Sequence, residues 1–177
     1  MGKLIVFEGL NKTGKTTLIN VLNNKLKEKG LKVAMFKEPV TNKPFDKFYN
    51  ILDFKLDNDV LFFLMNSNRL YGQDILKNLL KENDFVLCDR YYYSTLAYQV
   101  LNQKNEKLLK KIMDIMLQEK LIISPDLIFY LKITTFDELK KIEKRVPDKT
   151  MDKLEDVSLN NKMFSIIMIM TKYLSLM

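Results

Sequence analysis

Short apolar runs alternate with amphipathic stretches along all 177 residues, and this alternation predicts an α/β fold. Two further observations sharpen it. A glycine-bounded loop joins the first apolar run to the first amphipathic stretch, and no repeat, linker or low-complexity tract divides the chain. The expectation is one domain over residues 1–177: three layers, α/β/α, with a mainly parallel sheet of four to five strands flanked by helices.

Residues 3–8 form a short run rich in β-branched and aromatic side chains, the pattern of a buried strand. The glycine loop follows. Residues 16–29 place Leu18, Ile19, Leu22 and Leu26 at helical spacing, and Gly30 stops the helix. Residues 31–37 form the second strand, ended by Glu38-Pro39. A short helix is expected over 45–54 and a long one over 57–82, with Asp57 or Asn58 as its cap. Asn83-Asp84 breaks that helix before the third strand, 85–89. Helical patterns then cover 94–103 and 106–120, and the fourth strand spans 126–133. Beyond it the pattern gives a helix over 136–145, a turn at 146–150 and a mostly apolar helix over 158–176.

Composition excludes several classes. Histidine is absent, so Ser-His-Asp and Cys-His nucleophiles and histidine-ligated zinc are ruled out. The chemistry must come from carboxylates, lysine, arginine and backbone amides. One cysteine, Cys88, permits no internal disulfide, which fits a reducing, cytoplasmic setting. The apolar stretch at the start is too short for a signal peptide, and 163–170 is far below membrane-spanning length, so no membrane partner is expected. The net charge of +7 invites an anionic partner, but no aromatic residues are interleaved with the lysines as a base-stacking platform. Small phosphorylated ligands are expected, and nucleic acid is not. Only Arg69, Arg90 and Arg145 among 29 basic residues are arginine, which marks places that need the planar guanidinium fork.

Gly9-Leu10-Asn11-Lys12-Thr13-Gly14-Lys15-Thr16 has the spacing Gly-x4-Gly-Lys-Thr between a strand and a helix. Two glycines let successive amides turn inward as an anion nest, and the helix N-terminus adds positive partial charge. Lys15 is placed to reach the β- and γ-phosphates, and the Thr16 hydroxyl to ligate Mg2+. The expected nucleotide-binding set is Gly9, Asn11, Lys12, Thr13, Gly14, Lys15, Thr16 and Thr17. The fold is accordingly of the P-loop NTPase type. A GTPase would carry Asn-Lys-x-Asp, and Asn42-Lys43-Pro44-Phe45 lacks the aspartate. The chain length suits a small-molecule kinase using ATP as co-substrate.

Asp89-Arg90-Tyr91-Tyr92-Tyr93-Ser94-Thr95-Leu96-Ala97-Tyr98-Gln99 starts at the carboxyl end of the third strand, the edge where open parallel sheets bind ligands. Asp89 is placed to hold Mg2+ or its water, and Arg90 to grip a phosphate bidentately. Tyr91 to Tyr93 are assigned to core packing.

With these segments in hand, the chain resembles the thymidylate kinase family. That family pairs Phe-Glu-Gly-x-Asp-x-x-Gly-Lys-[Ser/Thr]-Thr with Asp-Arg-Tyr-x-x-Ser-x-x-Ala-Tyr-Gln, matched here by residues 7–17 and 89–99. Residues 62–69 and 124–131 are similar to its Leu-Phe-x-Ala-Asn-Arg segment and Pro-Asp-Leu-x-x-Tyr-Leu strand, and Asp152-Lys153-Leu154-Glu155 to its Asp-Arg-x-Glu beside the lid, placed here at about 145–156. The resemblance implies transfer of the ATP γ-phosphate to dTMP with Mg2+, by a homodimer. It implies that Arg90 and Lys37 serve the acceptor phosphate, Arg69 the base or acceptor nucleotide, Ser94 and Thr95 the base, and Tyr98 the deoxyribose face. Lys12 stands where some members carry a catalytic arginine, and others use lid arginines. Arg145 is left between stacking on adenine and reaching the transferring phosphoryl group. Asn11 replaces the family's loop aspartate, which contacts the sugar 3′-hydroxyl and metal-bound waters, and Met65 replaces its thymine-stacking phenylalanine. The run from Val60 to Met65 fits either the dimer interface or the core.

Two other readings stay open at this point. Glu38-Pro39-Val40 resembles the Glu-Pro-Val of deoxynucleoside kinases, although the tryptophan that follows it there is missing. A non-catalytic nucleotide-binding protein is the third reading.

Overall fold

The computed structural model of the chain describes residues 1–11, 13–52 and 54–132. The expected helices over 136–145 and 158–176, the lid, Lys12 and Arg145 lie outside them. Four strands, β1 (Lys3–Gly9), β2 (Val33–Lys37), β3 (Phe85–Asp89) and β4 (Leu127–Leu131), form one all-parallel sheet in the order β2-β3-β1-β4. The helices are α1 (Lys15–Glu28), α2 (Phe48–Leu52), α3 (Asn58–Glu82), α4 (Tyr92–Thr95) and α5 (Glu106–Gln118), with a π-helical segment at Leu96–Val100.

The strands are near-continuous apolar runs, and β1 and β3 at the centre of the sheet are covered on both faces, whereas Leu127 and Phe129 of β4 are 47% and 41% exposed. Leu4, Val6, Val86 and Cys88 point into one core with Phe62, Leu76, Leu80 and Tyr91 to Tyr93. Ile5, Phe7 and Leu87 point the other way, against Ile19 of α1. Each fully buried leucine or phenylalanine contributes about 1.5–3 kcal/mol. Leu18 departs from the expected stripe and is 40% exposed; α1 buries Ile19 and Asn23, with Leu22 and Leu26 half-covered.

Register is fastened at the amino ends of the strands. The Asp126 carboxylate accepts from Leu4 N at 2.8 Å, and the Asp84 carboxylate accepts from Lys32 N at 2.8 Å. Pairing then aligns Phe7 with Asp89 and Lys37 with Asp89, so the carboxyl ends of β1, β2 and β3 meet at one edge. The chain leaves β1 for β2, returns to β3, and later reaches β4 on the other side of β1. The crevice beside β1 is the switch point of the fold.

The buried face of α3 is unusual for a core helix. Phe62, Leu76 and Leu80 are apolar, but Asn66, Asn68, Arg69 and Gln73 are buried between them. Its middle therefore covers a polar site and its ends cover the core. The run from Val60 to Met65 divides: Phe62 is fully buried, whereas Val60 and Phe63 are 45% and 53% exposed. The helix expected over 94–103 begins earlier, at Tyr92, and widens into the π-helical segment, which contains Tyr98.

Candidate active site

Gly9 ends β1 at φ 142°, and a Cβ there would lie 2.6 Å from the Leu131 carbonyl oxygen, so only glycine fits. Gly14, at φ 89°, turns the chain into α1. Directly after Gly14, Lys15 is 6% exposed and its Nζ donates to the carbonyls of Gly9 at 3.0 Å and Leu10 at 2.6 Å. The Thr13 hydroxyl donates to Leu10 O at 2.9 Å. Thr16 and Thr17 are exposed in the first turn of α1. A cation is thus held inside a loop whose first glycine has no room for a side chain, the arrangement a polyanion needs.

The Thr16 hydroxyl donates to Asp89 Oδ2 at 3.1 Å, and Asp89 Oδ1 is buried with no hydrogen-bond partner among the described residues. These are hard oxygen donors. Two of them, completed by water and phosphate oxygens, suit Mg2+, which keeps several waters and demands few protein ligands. The residues present fit the ion.

Arg90 follows Asp89 at φ 69°, a left-handed conformation costly for a side chain with a Cβ. The kink is held from both sides: Arg90 N donates to Phe7 O at 3.0 Å, and Tyr91 N to Glu8 Oε1 at 2.8 Å. The turn aims the guanidinium back at the phosphate loop, where Nη2 donates to Asn11 Oδ1; Nη1 donates to Ser94 Oγ at 3.1 Å. The guanidinium carbon also lies 5.8 Å from the centroid of the Tyr98 ring. Glu8 is fully buried and accepts in addition from Ser94 Oγ at 2.7 Å. Burial pushes its carboxyl above the usual range, and the Arg90 charge opposes that shift.

Beside Arg90 opens a cleft lined by Glu38, Met65, Arg69, Arg90, Ser94 and Thr95, with Pro39, Asn68 and Tyr91. Arg69, 2% exposed, is fixed by Glu38 Oε2 at 2.9 Å from its Nε, Asn66 Oδ1 at 2.7 Å and Thr95 Oγ1 at 2.9 Å. Burial pushes the Glu38 carboxyl up to about 7 despite Arg69. The Asn68 amide closes a two-point clamp on Val40, accepting from its N–H at 2.7 Å and donating to its carbonyl at 2.8 Å.

Of the expected acceptor residues, Met65, Arg69, Arg90, Ser94 and Thr95 line this cleft, and Tyr98 and Asn11 touch Arg90 at its edge. Lys37 stands exposed at the end of β2 and does not line it. Tyr91 to Tyr93 are in the core as expected, although Tyr91 also forms part of the cleft wall. Sequence reasoning gave no role to Glu8, Asn68 or, beyond the Glu-Pro-Val likeness, Glu38. The signal available was polar residues beside apolar ones: Glu8 follows the apolar run 4–7 within β1, and Asn66, Arg69 and Gln73 share a helix face with Phe62 and Leu76.

Comparison with known proteins agrees with this geometry. The family model described as thymidylate kinase matches residues 7–172. A thymidylate kinase of Desulfotalea psychrophila is 33% identical over 156 residues, covering 85% of this chain and 73% of its own. One of Thermosipho africanus is 34% identical over 160 residues, covering 85% and 74%. A crystal structure of thymidylate kinase from Ehrlichia chaffeensis superposes with a TM-score of 0.64 at 26% identity, covering 82% of this chain and 89% of that one. The matched region begins at the phosphate loop strand and takes in both arginine-centred sites, and the chain belongs to the thymidylate kinase family.

Proposed function

We propose that this chain transfers the γ-phosphate of ATP to dTMP, giving ADP and dTDP. The observation that carries the reading is the position of Arg90. Its guanidinium bonds to Asn11 of the phosphate loop and to Ser94 of the cleft, so one cation spans donor and acceptor sides. In-line transfer needs positioning and charge neutralisation rather than a covalent intermediate.

In this reading the loop amides and Lys15 hold the ATP phosphates, Lys15 exchanging its carbonyl contacts for phosphate oxygens. Arg90 grips the acceptor phosphate. Arg69, Ser94, Thr95 and Met65 enclose the base, and Tyr98 flanks the sugar. Mg2+ would be held by the Thr16 hydroxyl and the Asp89 carboxylate, and when bound it supplies neutralisation of the triphosphate. From the resemblance, Lys12 is a candidate for the transition state, Arg145 for either that role or stacking on adenine, and Lys37 for the acceptor phosphate.

The reading includes a homodimer. Val60, Phe63 and Leu70 form an exposed apolar stripe on α3, 45%, 53% and 41% accessible, of the kind a second copy would cover. A cytoplasmic setting fits the lone, buried Cys88 thiol.

The test is ADP release measured over a panel of deoxynucleoside monophosphates and nucleosides, with Lys15→Ala as control. Turnover of dTMP that disappears in the variant supports the proposal. Phosphorylation of thymidine alone would replace it with a nucleoside kinase, and ATP binding without any turnover with a non-catalytic role.

A further inference from the structure

Glu38 is the first residue after β2, and its backbone N–H donates to Asp89 O at 3.2 Å. Its side chain is directional. Oε2 lies 2.9 Å from Arg69 Nε and 2.8 Å from Arg69 Nη2. Oε1 is buried and has no hydrogen-bond partner among the described residues. The residue is 5% exposed, yet it forms part of the cleft wall with Met65, Arg69 and Arg90. A buried carboxylate oxygen without a donor is costly, and native proteins keep such atoms where a ligand completes them.

The chemistry of that ligand group follows from what surrounds it. A phosphate offers only acceptor oxygens and negative charge, so it belongs against Arg90 and not against Glu38. What Oε1 lacks is an N–H or O–H donor. We propose that Glu38 Oε1 accepts a hydrogen bond from the nucleoside part of the acceptor, a base N–H or a sugar O–H, which makes Glu38 a specificity-determining residue of the cleft. This rests on the reading of the cleft as the monophosphate site.

The groups facing Glu38 are Arg69 from α3, Glu8 from β1, Cys88 from β3 and Tyr91 beyond it. Burial raises its carboxyl to about 7, Arg69 opposes, and Glu8 adds to the rise.

Glu38→Gln tests this because Arg69 requires an oxygen. The amide oxygen stays on Arg69 and the NH2 turns into the cleft, replacing an acceptor with a donor. Acceptor and ATP KM are measured for wild type and E38Q with dTMP, its N3-methyl analogue and its 3′-deoxy analogue. The expected result is a rise in dTMP KM of about tenfold or more, the loss of one good hydrogen bond to a charged group, with the ATP KM within about twofold. One analogue, and it identifies base or sugar, loses a similar factor on the wild type and nothing further on E38Q.

Asn66→Ala is the comparison, since Asn66 also steadies Arg69 but does not line the cleft. If E38Q weakens dTMP and both analogues equally, as N66A would, Glu38 only props Arg69 and the proposal is overturned. Should E38Q fail to fold, the wild type decides: two analogues as good as dTMP overturn it. A wild type that turns over no monophosphate removes the reading of the cleft, and this inference with it.

Discussion

Replacing Asn68 with alanine cuts both hydrogen bonds that hold Val40, and the consequences can be worked from the geometry. Asn68 is 1% exposed and Val40 is 5% exposed, so water has little access to either group once the amide is gone. The Val40 N–H and carbonyl, at 2.7 and 2.8 Å from the amide, would each be left without a partner. A buried backbone group stripped of its partner costs about 1–3 kcal/mol, so two give roughly 2–6 kcal/mol, with the lower half favoured if water enters the vacated space. A second effect is local. Val40 lies two residues after Glu38, and the clamp fixes how the chain leaves β2 along the cleft wall. The dTMP KM should rise by about tenfold or more while the ATP KM holds, because the phosphate loop is on β1. Urea unfolding gives the first quantity and steady-state kinetics the second. Asn68→Asp refines the measurement: it keeps an acceptor for the Val40 N–H but sets a carboxylate oxygen against the Val40 carbonyl, and it should be at least as harmful as alanine. An N68A protein within about 0.5 kcal/mol of wild type, with unchanged acceptor KM, would refute the reasoning.

Lys15→Ala should lower kcat by roughly 10²–10³, the usual loss when one donor to a transition-state charge is removed; a retained rate in the ADP-release assay would contradict its role. Thr16→Ala should raise the Mg2+ concentration for half-maximal rate by roughly 10- to 100-fold, the range seen when support for a bound metal is lost, and a metal titration of activity reads it directly. The pH dependence of stability has a definite sign. Burial raises the folded Glu38 carboxyl to about 7 from its ordinary value of 4.5, so the folded state binds more protons between those values, and its contribution to stability is lost as pH rises through about 7. Glu8 is raised in the same direction. Urea midpoints taken from about pH 4.5 to 7.5 should therefore fall less steeply in Glu38→Gln than in wild type; parallel curves would show that the group titrates normally.

Much of the molecule is local and was open to reading. The strands are continuous apolar runs, the loop glycines have a fixed spacing, and Asp89-Arg90 follows the third strand. Each is a pattern over fewer than a dozen neighbouring residues, set by covalent spacing and by backbone sterics. The same locality explains the errors of detail. Leu18 has helical spacing but sits on the outer face of α1, because which side of a helix meets the sheet is settled by packing. Lys37 precedes Glu38 in the chain, yet strand alternation sends their side chains to opposite sides and only Glu38 reaches the cleft.

The sequence by itself determined the α/β class, the phosphate loop and the arginines on which the site is built. Tertiary structure alone decided what those arginines face. Arg90 meets Asn11 across 79 positions of chain, and Arg69 meets Glu38 across 31. Those meetings depend on the order β2-β3-β1-β4, which brings the carboxyl ends of three strands to one edge. They depend also on burial, which strips water from Glu8 and Glu38 and so raises their carboxyls. Neither strand order nor desolvation is a property of neighbouring residues, and so the phosphate loop was legible as a motif while the cleft beside it became visible only once the chain was folded.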